Sequence, residues 1–251
     1  MIVYPLGVGS AFTQRYYHNN FLVELNDQKL LIDAGTTLRY SLKSAGFTES
    51  SIHYVIITHF HFDHVGGLEE LLLKRYWSRH PAKEKIQIIT HEKQRNMLEN
   101  ILMPGLNNQN LTLRDYAGLI TVEDEQPVPI GPFRIQMIET THLHAIGMQS
   151  FALKIFDQNT GCNFLFTSDI KNLKGSNLLD YIDEKTEFIF QDVSFAENAA
   201  HATIHQIMDY YPKSLHPKLM GMHYDDEIDA DSVTAIRLVK QGVPLQICMH
   251  D

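Results

Sequence analysis

The sequence has few cysteines and no long apolar run. Cys162 and Cys248 are its only cysteines in 251 residues. Two cysteines are too few for a disulfide framework, so we expect the protein to reside in a reducing cytoplasm. No apolar run approaches the roughly 18 residues that span a bilayer. Residues 1–5 lack the basic stretch and apolar core of a secretory signal, so we expect neither secretion nor membrane association.

Basic charge is also scarce. Lysine and arginine total 21 against 30 acidic residues, which gives a formal net charge of -9. Proteins that grip long RNA or DNA usually present a basic surface, so a long nucleic acid is not the expected partner. Bound divalent ions would concentrate positive charge at one place. The balance therefore favours a small anionic substrate.

The length and the 44% hydrophobic content predict one large α/β domain over residues 1–251. Strands come first in hairpins and later alternate with helices, which favours two sheets with helices outside them. Residues 2–10 predict a short strand that runs into a glycine turn. The other predicted strands are 20–25, 29–33, 54–57, 86–90, 133–138, 151–156, 163–167, 188–191, 218–222 and 245–249. The predicted helices are 67–79, 92–102, 203–211 and 230–241. Residues 103–118 mix polar and apolar types and predict a long loop, which in a compact domain is usually a lid, an interface element or a disordered segment.

The segment from Thr58 to Leu68 holds the densest set of metal-binding side chains. His59, His61, Asp63 and His64 fall within six positions, directly after the apolar strand 54–57. Imidazole and carboxylate suit zinc and similar divalent ions. Four such groups exceed one site with an open position, so they indicate two adjacent metals, an arrangement typical of hydrolases.

The alternation around these histidines predicts their direction. In extended geometry His59 and His61 point the same way. Phe60 and Phe62 are then expected to point into packing.

The spacing His-x-His-x-Asp-His, followed by Gly66-Gly67-Leu68, resembles the signature of the metallo-β-lactamase fold superfamily. That resemblance implies an αββα sandwich with a dinuclear site at the strand ends. It covers nearly the whole chain, because further landmarks recur in order: Leu31–Gly35, a histidine at 142 or 144, Phe166–Asp169 and Met220–His223.

The resemblance also implies a ligand set. The first metal would be held by His59, His61 and a third histidine, and the second by Asp63, His64 and His223, with Asp169 bridging both. Ser150 and the residues after it match the strand that follows the third histidine, which favours His144. The alternative is His142, which is otherwise a supporting or exposed group.

Two divalent ions, zinc or alternatively manganese, are the expected cofactors. A hydroxide that bridges them is the expected nucleophile, and Asp63 is placed to hold or accept its proton.

Asp192 and the segment His201-Ala202-Thr203 resemble the RNase Z branch of the superfamily, where such a pair delivers a proton to the leaving group. The resemblance implies that Asp192 orients His201 and that His201 is the acid, which fits phosphodiester cleavage. In the alternative, Thr203 caps a helix and His201 merely precedes it. His205, one helical turn on, is a rival acid.

The interval from His144 to Asp169 is only 25 residues. Bacterial RNase Z enzymes that trim tRNA carry a long arm there, and this chain lacks it. Residues 224–227 also lack the basic residues and the serine or threonine hydroxyls expected beside a tRNA end. The compact chain looks like the cyclic-nucleotide phosphodiesterases, and most like the anti-Pycsar family of phages and bacteria.

That resemblance implies hydrolysis of 3′,5′-cyclic mononucleotides, which would remove an antiviral signal in the bacterial cytoplasm. It also implies a homodimer in which a loop of one subunit reaches the other's active site. Residues 103–118 are the candidate loop, with Leu106 and Tyr116 against the base.

Three other functions stay open: an RNase Z-type endonuclease for small or single-stranded RNA, a nucleotide-binding sponge without turnover, and a hydrolase of thioesters or lactones. The sequence does not select the preferred base, or a phage over a bacterial origin.

Overall fold

Two seven-stranded sheets form the centre of the computed structural model, which describes residues 1–78, 84–124 and 126–247. The first sheet has the order β14-β1-β2-β3-β4-β5-β6. Its strands are β1 (Ile2–Pro5), β2 (Phe21–Leu25), β3 (Gln28–Ile32), β4 (Tyr54–Ile56), β5 (Ile86–His91), β6 (Ala117–Val122) and β14 (Leu245–Gln246).

The second sheet has the order β13-β12-β11-β10-β9-β8-β7. Its strands are β7 (Val128–Ile130), β8 (Phe133–Glu139), β9 (Phe151–Asp157), β10 (Asn163–Phe166), β11 (Thr186–Asp192), β12 (Leu219–Met222) and β13 (Arg237–Leu238). The helices are α1 (Leu38–Ser44), α2 (Phe62–Val65), α3 (Leu68–Tyr76), α4 (Glu92–Leu106), α5 (Leu113–Tyr116) and α6 (Ile204–Tyr210).

Alternating side chains of the first sheet divide between two hydrophobic layers. Phe21 points between the sheets, where its ring lies 5.2 Å from that of Phe166 and 5.3 Å from that of Phe190. Leu22, on the opposite face, packs with Leu42 and Leu71 under the helices. Since successive side chains of a strand face opposite ways, both faces of this sheet are covered. The predicted αββα sandwich of the metallo-β-lactamase type is the observed fold.

Residues 230–241 do not form the predicted helix. The apolar spacing of Val233 and Ile236 resembles one helical face, but this segment instead completes the edge of the second sheet. Leu238 lies in β13, which pairs in parallel with β12, and the N–H of Val239 donates to the carbonyl of Gly221 at 2.9 Å. The edge of β12 supplies these hydrogen bonds, and tertiary pairing overrides the local pattern.

The loop predicted at 103–118 is largely ordered structure. Helix α4 runs to Leu106, α5 and the start of β6 follow, and only residues 107–112 are irregular. Leu106 and Tyr116 are buried under the first sheet, so the prediction that they stack on a base is wrong for this conformation.

This segment also lies far from the end of β4, where the candidate metal-ligand motif (residues 59–64) begins. Ala117 pairs with Ile86, the first residue of β5, whereas the motif lies at the opposite, carboxyl end of the neighbouring strands. Helix α4 covers that length with 15 residues, roughly 22 Å. A role of 103–118 at a partner's site stays a prediction.

Among the described residues, no helix is both long and apolar enough to cross a bilayer. The expectation of reduced thiols involves Cys248, which lies outside the described residues. The ends of two predicted elements, residue 79 of the helix and residues 248–249 of the last strand, lie outside the described residues.

Candidate metal centre

Parallel strands bring the candidate residues to one edge of the sandwich. In the first sheet, β3 precedes Asp33 and β4 precedes the motif that starts at His59. In the second sheet, β10, β11 and β12 are parallel neighbours, and Asp169, Asp192 and His223 stand at their carboxyl ends. Because parallel strands end at a common edge, residues distant in sequence meet there.

One group consists of His59, His61, His144 and Asp169. Nδ1 of His61 lies 3.1 Å from Nε2 of His59 and 3.1 Å from Nε2 of His144. Oδ2 of Asp169 lies 3.7 Å from Nε2 of His59 and 3.7 Å from Nε2 of His144. Three imidazoles and one carboxylate converging in this way form a ligand set that suits zinc.

A second group consists of Asp63, His64, Asp169 and His223. Nε2 of His64 lies 3.3 Å from Oδ2 of Asp63 and 3.3 Å from Oδ2 of Asp169. Nε2 of His223 lies 3.2 Å and 3.4 Å from the same two oxygens. Asp169 is thus common to both groups, as a bridging ligand would be.

The buried carboxylates of this cluster call for a cation. Asp63 and Asp169 are almost fully buried, and Oδ1 of each has no hydrogen-bond partner. Burial raises the pKa of Asp169, but the charges of His223 and His64 outweigh it and hold the pKa well below its usual range. An ionised carboxylate with an unsatisfied oxygen is costly in the interior unless a positive charge compensates it. The cluster therefore fits divalent metal binding.

Hydrogen bonds outside the cluster orient two of its imidazoles. Nδ1 of His64 lies 2.7 Å from Oδ2 of Asp33, and Nδ1 of His144 donates to the carbonyl of Ala200 at 2.8 Å. Each bond turns Nε2 towards the cluster, the arrangement by which a carboxylate or carbonyl supports a metal-binding histidine. Sequence reasoning identified Asp33 only as a landmark, because its contact with His64 spans 31 positions.

The structure brings His144 and not His142 into the cluster. His142 is exposed with φ of 67°, and its Nδ1 accepts the N–H of Gly147 at 2.9 Å. That side chain closes a local turn.

Glycines let the turn after β3 pack against the metal-ligand motif. A Cβ on Gly35 would lie 2.0 Å from the carbonyl oxygen of Asp63, and one on Gly67 would lie 2.3 Å from that of Gly35. Ala34 donates its N–H to the carbonyl of His64 at 2.6 Å and accepts from Gly67 at 2.7 Å. The two segments that carry ligands and their support are therefore held backbone to backbone.

Asp192 and His201 form a hydrogen-bonded pair beside the cluster. Nδ1 of His201 lies 2.8 Å from Oδ2 of Asp192 and 4.0 Å from Oδ2 of Asp169. Burial lowers the pKa of His201, but the charge of Asp192 and its hydrogen bond outweigh this and raise the pKa to about 9. This pairing therefore favours the protonated imidazolium at neutral pH.

The alternatives to this pair have separate outcomes. Thr203 does cap α6, since its side chain accepts the N–H of Gln206, but the cap leaves the Asp192–His201 bond intact. His205, the rival acid, is exposed on α6 and belongs to neither ligand group.

The two phenylalanines of the motif, Phe60 and Phe62, differ in burial. Phe60 is partly buried against the helix-side core, as expected. Phe62 is 46% exposed, because the extended segment ends at His61 and helix α2 begins at Phe62. The prediction that Phe62 points into packing is wrong.

A family model described as "Anti-Pycsar protein Apyc1" matches residues 1–244. The chain belongs to this family. Similar relatives include the anti-Pycsar protein Apyc1 of Bacillus phage vB_BveM-Goe7, which is 32% identical over 256 residues, covering 94% of this chain and 95% of the relative.

Solved structures of low sequence identity share the fold of this family member. Human tRNase Z, short form, has a TM-score of 0.75 and 16% identity over 99% of this chain and 100% of its own. The metallo-β-lactamase fold protein YhfI of Bacillus subtilis has a TM-score of 0.74 and 17% identity, over 97% and 98%. These neighbours show the metallo-β-lactamase fold, and the His/Asp cluster fits divalent metal binding.

Proposed function

We propose that this anti-Pycsar family protein is a metal-dependent phosphodiesterase that hydrolyses 3′,5′-cyclic mononucleotides in the bacterial cytoplasm. The observation that carries the proposal is the Asp192–His201 pair, which lies against a cluster able to hold two divalent ions. Cleavage of a phosphodiester needs an activated water on one side and a proton for the departing oxygen on the other. The site has groups for both.

The ligand groups divide between two ions. His59, His61 and His144 would hold one, Asp63, His64 and His223 the other, and Asp169 both. Two divalent ions, zinc or manganese, supply Lewis-acid polarisation of the phosphoryl oxygens and lower the pKa of water. Oδ1 of Asp63 has no hydrogen-bond partner in the fold and is the acceptor proposed for the proton of the attacking water.

His201 is the proposed acid for the leaving sugar oxygen. Its Nδ1–H donates to Asp192, so the proton that it delivers is the one on Nε2. Its side chain is 16% exposed, whereas that of Asp192 is fully buried, so the imidazole is the member of the pair that substrate can reach. Asp192 is a positioning residue that acts through His201.

The protein is also proposed to act as a homodimer. Residues 103–118 lie at the far end of the sandwich from their own site, so a contribution to catalysis would have to be made to a second subunit's site. Sedimentation of the metal-loaded protein tests this, and a monomer at assay concentration would contradict it.

A substrate panel tests the proposed function. Metal-loaded protein is incubated with cyclic CMP, cyclic UMP, purine cyclic mononucleotides, cyclic dinucleotides and a precursor tRNA, and the products are separated by chromatography. We expect linear nucleoside monophosphates from the cyclic mononucleotides alone. Cleavage of the tRNA would favour the RNase Z-type alternative, and tight binding without product would favour the sponge.

A further inference from the structure

Two exposed aromatic rings lie together beside the metal-ligand motif. Phe12 is 84% exposed and Phe62 is 46% exposed, and their ring centroids are 5.9 Å apart at an angle of 41°. Phe62 stands between the ligand candidates His61 and Asp63 in the sequence. Single exposed hydrophobics are common on protein surfaces, but an adjacent pair beside a candidate site indicates a contact surface.

The loop that carries Phe12 is firmly attached to the segment that follows His223. Asp226 accepts the backbone N–H of Gln14 at 2.7 Å and that of Arg15 at 3.1 Å, and it also accepts the hydroxyl of Thr13. The hydroxyl of Ser10 donates to Asp225 at 2.7 Å. Phe12 is therefore held in place by backbone bonds while its own ring stays in solvent.

The ring of Phe62 is only partly covered. The buried imidazole of His18 contacts Phe62 edge to face at 5.7 Å and supports it from within. Phe12 lies on the outer side. The pair thus spans from the ligand motif of the first sheet to the loop anchored beside His223.

In a cyclic mononucleotide only the sugar separates the phosphate from the base. A phosphate at the metal cluster therefore brings the base within reach of side chains that flank the ligands. Aromatic rings bind nucleobases by stacking, which tolerates every base because each has a π face. The pair carries no hydrogen-bonding group that would select one base.

We infer that Phe12 and Phe62 form the surface on which the nucleobase of the substrate stacks, so that they set affinity for nucleotides over base-free phosphodiesters. This inference rests on the proposed function, because the ligand is the same cyclic mononucleotide. It accounts for an exposed aromatic pair that the hydrolytic groups leave unused.

Binding to a slowly hydrolysed phosphorothioate analogue of cyclic UMP tests the inference by calorimetry. Phe12→Ala and Phe12→Leu should each raise Kd roughly fivefold to a hundredfold, and Phe12→Trp should keep the wild-type value. Base-free 1-O-methyl-ribose 3′,5′-cyclic phosphate should bind Phe12→Ala and wild type alike. Trp77→Ala removes another exposed ring (60%) at the end of α3, and it should change neither Kd.

The outcomes separate this inference from the proposed function. If the analogue binds wild type tenfold better than Phe12→Ala, the stacking surface is supported. If the natural substrates bind but are not cleaved, the proposed phosphodiesterase activity is contradicted while the stacking surface stands. Equal Kd values in wild type and Phe12→Ala overturn the stacking surface whatever the turnover. Loss of the dimer in Phe12→Ala also overturns it, because the rings would then be a subunit contact.

Discussion

Nδ1 of His201 lies 2.8 Å from Oδ2 of Asp192, and the same oxygen accepts the backbone N–H of Ile170 at 2.9 Å. Ile170 follows Asp169, the carboxylate shared by both ligand groups. One buried side chain therefore fixes both the imidazole proposed as acid and the backbone beside the carboxylate that both ligand groups share. That contact would couple proton delivery to the metal centre.

Removal of the imidazole should slow the chemical step. A positioned general acid contributes about 10²- to 10⁴-fold, so His201→Ala should lower kcat for cyclic CMP by at least about 100-fold. A phosphodiester with a nitrophenolate leaving group needs no proton, so its kcat should fall much less. Steady-state kinetics on both substrates measures the difference.

His205→Ala is the matched control, since His205 is an exposed histidine on the helix that follows. It should leave kcat within about twofold. An equal loss for both substrates in His201→Ala would contradict the role of acid.

The pH dependence should follow the pKa of His201. Burial lowers the pKa of His201, but the charge of Asp192 and its hydrogen bond outweigh burial and raise the pKa to about 9. The imidazolium holds its proton below that pH and loses it above, so kcat should fall as pH rises through about 9. Asp192→Asn removes the compensating charge and should move this alkaline limb to lower pH. Asp209→Asn on α6 is the control and should leave the alkaline limb where it is in wild type. If the limb also stays in place in Asp192→Asn, a group other than His201 titrates.

The fold and the identity of the cluster were predictable from the sequence. His59 to His64 follow a short apolar strand, and Asp169 and His223 also stand directly after strands, so local patterns place them at one edge. The choice between His142 and His144 rested on resemblance, because both lie in the same turn. The structure separates them through the hydrogen bond from His144 to Ala200, a contact over 56 positions.

Long-range packing decided what local patterns did not. Val233 and Ile236 have helical spacing, but the free edge of β12 pairs with the segment that follows them. Phe62 alternates with the histidines, but helix α2 begins at that residue and turns its ring outward. Leu106 and Tyr116 were predicted to contact a base. They lie at the ends of α4 and α5 and are buried in the core on the helix side of the first sheet.

Asp33 should matter for metal affinity although it belongs to neither ligand group. It accepts the N–H and the hydroxyl of Thr58 at 2.7 and 2.9 Å and pairs with Nδ1 of His64 at 2.7 Å. Supporting carboxylates of this kind are typically worth about 10- to 100-fold in metal affinity. Asp33→Asn should weaken binding by that factor in competition with a chromophoric chelator.

Asp27→Asn, in the exposed hairpin turn between β2 and β3, is the control and should leave metal affinity unchanged. The supporting role of Asp33 fails if both variants bind metal as wild type does.

Gly35 should tolerate no side chain. An added Cβ would lie 2.0 Å from a backbone oxygen of the ligand motif, and overpacking of this kind typically costs about 1–3 kcal/mol. Gly35→Ala should therefore lower the free energy of unfolding in urea and also weaken metal binding. Gly131→Ala meets nothing within 4 Å and adds only backbone strain at φ of 56°, so metal affinity should survive in it. Equal metal affinity in the two variants would contradict the packing argument.

The central claim is tested most directly by ³¹P NMR of a cyclic mononucleotide incubated with metal-loaded protein. We expect the resonance of the strained cyclic diester to be replaced by that of a linear monoester, with the rate lost in Asp169→Asn. A cyclic resonance that persists with wild type, or a monoester that forms equally fast with Asp169→Asn, would contradict the assignment.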